Sequence, residues 1–192
     1  MPPDFTPGSP FESGFGDDFI FRPKPIDGTG GVDHTVLQSI RVEIEGYLEL
    51  GMADCAEEEL NKLPSDVQRQ PLILDAWLAL LMQTRRWEEA LATGLQGCRA
   101  APLNPAFFIH SAFCLHEMGR TGEAHRLLST GPKSLLKEAL YHYNTACYLA
   151  VLGRPREAAP HLAQAFQLDP DLRQFAGTDR DLEFLWPKLP EL

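Results

Sequence analysis

A chain of 192 residues with 44% hydrophobic composition and a formal net charge of -10 suits one folded domain plus a tail, and is too short for two ordinary domains. The acidic balance repels phosphate backbones, and no Lys/Arg stripe interleaved with aromatics reverses it locally, so nucleic acid is not an expected partner. No apolar run approaches the roughly 20 residues of a membrane-crossing helix, and the opening MPPDFTPGSPFESG lacks the basic and apolar parts of a secretory signal, which predicts a cytoplasmic protein without membrane insertion.

Residues 1–33 are rich in proline and glycine and show no apolar periodicity, so they cannot bury enough surface to offset chain entropy. A disordered tail is expected there. Its aromatic content is high for such a segment, with Phe5, Phe11, Phe15, Phe19, Ile20 and Phe21, which leaves two readings: the stretch around Phe19 to Phe21 folds back on an apolar surface of the same molecule or a neighbour, or the whole tail is only disordered and solubilising. From His34 to the Trp186-Pro187 stop, apolar residues recur at helical spacing and define a folded region over 34–188.

Within that region Ala56, Ala90, Ala124 and Ala158 stand 34 residues apart. Glu89, Glu123 and Glu157 precede three of them. Five places before each alanine come Gly51, Arg85, Gly119 and Gly153, and further upstream lies an apolar column of Tyr47, Leu81, Leu115 and Leu149. This pattern predicts a helix, a tight turn and a second helix per repeat, with the alanine letting the two helices lie close. Glycine suits a left-handed turn residue, whereas Arg85 carries a Cβ, so the junction at Arg85 is expected to be the least regular. Leu63-Pro64 and Gly131-Pro132 predict short second helices in the first and third repeats.

The register, and most clearly YNTACYLAVLGRPREAAPHLAQAFQLDP from Tyr143 to Pro170, resembles the tetratricopeptide repeat (TPR) family, and specifically its small bacterial single-domain members. The resemblance implies an all-α, right-handed α-solenoid of about four helix-turn-helix repeats near 37–70, 71–104, 105–138 and 139–172. A capping segment over 172–188 would use Leu172, Phe175, Leu182, Leu185 and Trp186. It also implies that the first helices line a concave groove. The inward positions become Gln38, Arg41, Glu45, Leu48 and Glu49, then Leu72, Asp75, Ala79, Met82 and Gln83, then Ala106, Ile109, Phe113, His116 and Glu117, then Leu140, Tyr143, Cys147, Ala150 and Val151.

The expected role is that of a non-enzymatic adaptor or scaffold holding a protein or peptide partner in this groove. The partner would set apolar anchors near Phe113 and Tyr143 and basic residues opposite Glu45, Glu49 and Asp75. Asn144 matches one position of the carboxylate clamp found in some family members, but the clamp's lysines are missing. Alternatives are a self-assembling component such as a homodimer, and a small chaperone for a client protein.

No catalytic motif is present: there is no phosphate-binding glycine loop, GxSxG or HExxH. No cofactor is expected. His110 and Cys114 lie one helical turn apart without a second ligand pair, so no metal is expected there. Cys55, Cys98, Cys114 and Cys147 have no CxxC spacing and are expected to be reduced.

Overall fold

The computed structural model describes residues 33–191, with side chains to 187. The segment 1–33 and the contacts expected of Phe19 to Phe21 lie outside the described residues, Asp33 excepted. Among the described residues every regular element is helical.

Four helix pairs follow one another: α1 (His34–Glu49) with α2 (Ala53–Lys62), α4 (Pro71–Gln83) with α5 (Trp87–Ala100), α6 (Pro105–Glu117) with α7 (Thr121–Ser129), and α8 (Ala139–Val151) with α9 (Pro155–Leu168). Short pieces fill the remainder. These are α3 (Ser65–Gln68), a 3-10 turn at Lys133–Lys137, α10 (Leu172–Ala176) and a 3-10 stretch at Arg180–Glu191. The result is an α-solenoid of TPR type with a C-terminal capping segment.

Local chemistry sets the helix starts. Asp33 accepts from the Thr35 N–H at 2.9 Å and Asn104 from the Ala106 N–H at 3.1 Å, so each caps a helix with orphan N–H groups. Pro71, Pro105 and Pro155 occupy the first turns of α4, α6 and α9, where a missing N–H costs nothing. The Leu63-Pro64 and Gly131-Pro132 breaks hold α2 to 10 residues and α7 to 9, against 14 in both α5 and α9.

The alanine column sits at the pair interfaces, with Ala56, Ala90, Ala124 and Ala158 all at 0% exposure. The acidic column acquires a physical role as well. Arg86, Arg120 and Arg154 each make a two-bonded pair with Glu89, Glu123 and Glu157 three residues on, at 2.6–2.8 Å. These pairs close the first turns of α5, α7 and α9, and being exposed they contribute only modestly. Arg86 also reaches Glu57 on α2 at 2.7 Å, joining neighbouring pairs.

The turn at Arg85 corrects the expectation of irregularity. Arg85 adopts φ 56 beside 70, 74 and 73 at Gly51, Gly119 and Gly153. The same bond also closes each turn, from the N–H of Met52, Arg86, Arg120 and Arg154 to the carbonyl five residues back, at 2.8 Å in all four. The neighbouring repeats impose the geometry, and Arg85 bears its steric cost. Arg85→Gly is therefore expected to raise stability by about 1 kcal/mol, read as an upward shift of the urea midpoint at unchanged slope.

The buried side chains form two clusters. One runs from Leu37 through α4 to Phe107 and Cys114, and the other from Ile109 through α8 and α9 to Leu185. Half-buried Leu91 packs against both. In the capping segment Leu172, Leu182 and Leu185 are buried, whereas Phe175, expected to share that role, is 38% exposed.

Candidate functional site

The first helices α1, α4, α6 and α8 pack side by side as one layer, and α2, α5, α7 and α9 each pack against their own first helix. The 34-residue repeat places Arg41, Asp75, Ile109 and Tyr143 at equivalent points of successive first helices. The groove positions expected from the sequence all belong to this first layer, and they divide into two parts of different character.

In the first part, Arg41 and Asp75 are 4% and 1% exposed, and Arg41 Nε donates to Asp75 Oδ2 at 3.2 Å. Arg41 also pairs with Glu45 at 2.7 Å. Burial pushes the Asp75 carboxyl up to about 6, against the opposing pull of Arg41. Both residues were expected to meet a partner; their charges are instead directed at each other within the layer. Gln83 Nε2 donates to the Leu48 carbonyl at 2.9 Å, fastening the end of α4 to the end of α1. Glu49 is exposed, while Glu45, Met82, Phe113 and Glu117 are half-buried. The Phe113 ring stands edge-on to Trp87, with centroids 5.8 Å apart. Ile109, between these residues and α8, is buried in the second cluster.

In the second part the chain covers its own inner face. After α10 the backbone turns at Thr178 and Asp179, and the 3-10 stretch lies chiefly along α8 instead of only closing the end of the stack. We refer to 178–187 as the strap. Asp179 anchors it: Tyr143 Oη donates to Asp179 Oδ2 at 2.9 Å, the Cys147 thiol approaches the same oxygen at 3.5 Å, and the Asp181 N–H donates to Asp179 Oδ1 at 3.0 Å. Asp181 bonds His116 on α6 at 2.7 Å, and the other His116 ring nitrogen meets Thr121 Oγ1 at 3.0 Å. Trp186 Nε1 donates to the carbonyls of Ala176 and Asp179. Tyr143 and Cys147 are consequently 1% and 2% exposed, and Asn144 is 7% exposed. These three, expected to face a partner, lie beneath the strap or within the packed helices.

Burial, and then the Asp181 charge, raise the Asp179 carboxyl above its usual range. Burial likewise lifts the Tyr143 phenol and the Cys147 thiol, with neighbouring acidic groups adding to it. Cys147 is therefore a protonated thiol and a poor nucleophile. Cys147 Sγ and oxygens of Asp179 and Asp181 lie within 4.8 Å of one another, a donor set of metal-binding type. Its Asp179 oxygens already accept from the phenol, the thiol and a backbone N–H, and those bonds account for the cluster as the anchor of the strap. Cys114 is also buried, its thiol pushed up to about 12, and His110 beside it is driven down to about 4 by desolvation. Neither is poised for chemistry.

Sequence reasoning did not find the strap. Its only signal is the pair of aspartates, Asp179 and Asp181, set before Leu182 and Leu185, a polar clasp ahead of an apolar clamp.

No family profile matches the chain, and no curated protein matches it. Solved structures do. "MamA MSR-1 C2" superposes with a TM-score of 0.57 at 20% identity, covering 73% of this chain and 82% of the other. "MamA AMB-1 C2221" gives 0.56 at 21% identity, over 72% of this chain and 82% of its own. At this identity the likeness concerns the fold.

Proposed function

We propose that the protein is a non-enzymatic interaction module that takes a segment of a protein partner on the open part of its inner face, across α1, α4 and α6. The observation that carries this reading is the strap. It covers α8, and leaves Glu45, Glu49, Met82, Phe113 and Glu117 as the accessible lining. Met82 is an adaptable thioether and Phe113 a rigid ring, a suitable pair for one apolar anchor. Glu45 shares Arg41 with Asp75, so the lining keeps excess negative charge, with exposed Glu49 adding to it. A segment bearing Lys or Arg on either side of an apolar anchor fits this surface by charge and shape. The TPR-type fold is consistent with a scaffold or adaptor role, and no helix among the described residues is long and apolar enough to cross a membrane.

The test is a capture experiment from native lysate with wild type and a Met82→Glu, Phe113→Glu variant whose circular dichroism is unchanged. The proposed surface predicts a partner retained by wild type and lost by the variant. Identical partners on both proteins would move the site elsewhere. Self-association is the second reading, favoured by Val36 and Val42 on α1, 52% and 55% exposed at the open end of the stack.

A further inference from the structure

Away from the inner face, the last helix pair brings two imidazoles together. His142 on α8 and His161 on α9 have their Nδ1 atoms 3.1 Å apart, and His142 Nε2 lies 3.1 Å from the Leu136 carbonyl oxygen. A carbonyl only accepts, so His142 Nε2 carries the proton and His142 Nδ1 presents a lone pair toward His161. The rings are tilted by 37° with centroids 5.3 Å apart, an edge-to-edge approach of nitrogens and not a stack. Tyr141 stands edge-on to both rings. His142 is buried at 8% exposure and His161 is half-buried, so the two nitrogens meet at a site with an aromatic wall and one side toward solvent.

The nitrogen separation is one that a chelating pair can span, and a swing of both rings off their shared N–N axis turns the two lone pairs toward a common cation. Metal–imidazole bonds of about 2.0–2.1 Å spanning a 3.1 Å nitrogen separation enclose an angle of roughly 95–100°, between the tetrahedral and octahedral values. The hydrogen bond from His142 Nε2 to a backbone carbonyl is the outer-shell contact that orients a metal-ligating histidine and fixes its tautomer. We propose that His142 and His161 form a bidentate site, through both Nδ1 atoms, for a borderline divalent transition-metal cation of the zinc class, with water completing the coordination. With no cation bound, His161 donates its Nδ1 proton to His142. Binding requires that neutral His161 move that proton to Nε2 and that the two rings swing off their shared N–N axis, with no net proton gained or lost. The cation then cross-links α8 to α9, the helix pair on which the strap is seated. The two residues are 19 apart and on different helices, so no short-range motif marks them in the sequence.

Reduced full-length protein titrated with zinc chloride tests the site, observed through the imidazole nitrogens by long-range proton–nitrogen NMR and through the melting temperature. Selective shifts at His142 and His161, with a melting temperature that rises with zinc and returns on adding EDTA, are expected. His161→Ala should weaken zinc binding at least about tenfold and abolish the rise. Zinc shifts spread over the other histidines, an unchanged melting temperature, or a His161→Ala protein that binds as wild type does would overturn the proposal. The wild-type ring shifts decide the matter even if the variant folds poorly.

Discussion

Arg41→Met is expected to lower stability by about 3–5 kcal/mol at pH 8, and by markedly less at pH 5. Removing the guanidinium leaves Asp75, 1% exposed, without its buried cation. The pH dependence follows from the direction of the Asp75 shift. Its carboxyl is held at about 6 in the folded protein against the ordinary 3.8, so folding favours the protonated form. That preference is fully present below the unfolded value and is lost as pH rises through the folded one. Arg41 pulls the folded value down, so without it Asp75 holds its proton to still higher pH. Below about pH 6 the variant then buries a neutral acid instead of an uncompensated charge. Buried His110, driven down to about 4, has the opposite tendency and weakens the fold as pH falls from its unfolded value toward 4. The comparison is therefore made as wild type minus variant by urea denaturation at each pH, where that shared contribution cancels. A deficit that stays constant between pH 8 and pH 5 would mean that Asp75 does not carry the effect.

Gly97→Ala is expected to cost about 1–3 kcal/mol, or several degrees of melting temperature in a protein of this size. A single methyl is seldom so damaging on an exposed helix, where alanine is the better helix former. Gly97 faces α6, and a Cβ there would overlap the Phe107 ring. That ring is itself 0% exposed and has nowhere to retreat without opening the core. Gly94 on the same helix meets Ser111 in the same way, so the pair of glycines sets how closely α5 and α6 approach. Adding Phe107→Leu to Gly97→Ala should recover part of the loss. A Gly97→Ala protein that melts at or above the wild-type temperature would show that the interface repacks freely.

Those two glycines illustrate what could be read in advance and what could not. The sequence shows two glycines three residues apart at Gly94 and Gly97, while the residue that fills the space, Phe107, follows only from the packing of the next repeat. The alanine and glycine columns were legible because they are local demands repeated at fixed spacing: one small residue per helix pair, one left-handed residue per turn. Arg85 misled because a steric penalty on one residue was weighed without the neighbouring repeats that impose the same turn. Arg41 and Asp75 carried a readable signal, opposite charges at the same point of adjacent repeats, although the groove positions implied by the family resemblance set them facing a partner and not against each other. The strap was the least legible feature. Helical periodicity assigns residues to the inner side of a helix, but it cannot tell whether a distant part of the chain, here Asp179 some 36 residues from Tyr143, will cover them. Of the candidate site residues on α1, α4 and α6, Glu45, Glu49, Met82, Phe113 and Glu117 thus keep some exposed surface, whereas Tyr143, Asn144 and Cys147 on α8 became part of the core.

The most direct test of the proposed binding face is a selection from a random peptide library followed by backbone amide NMR with the enriched peptide. The account predicts peptides carrying an apolar anchor flanked by Lys or Arg, with shifts concentrated at Glu45, Glu49, Met82, Phe113 and Glu117 and little change at Tyr143 or Cys147. Shifts centred on the strap, on α8 or on the second helices would contradict it, and would place recognition on a different surface of the solenoid.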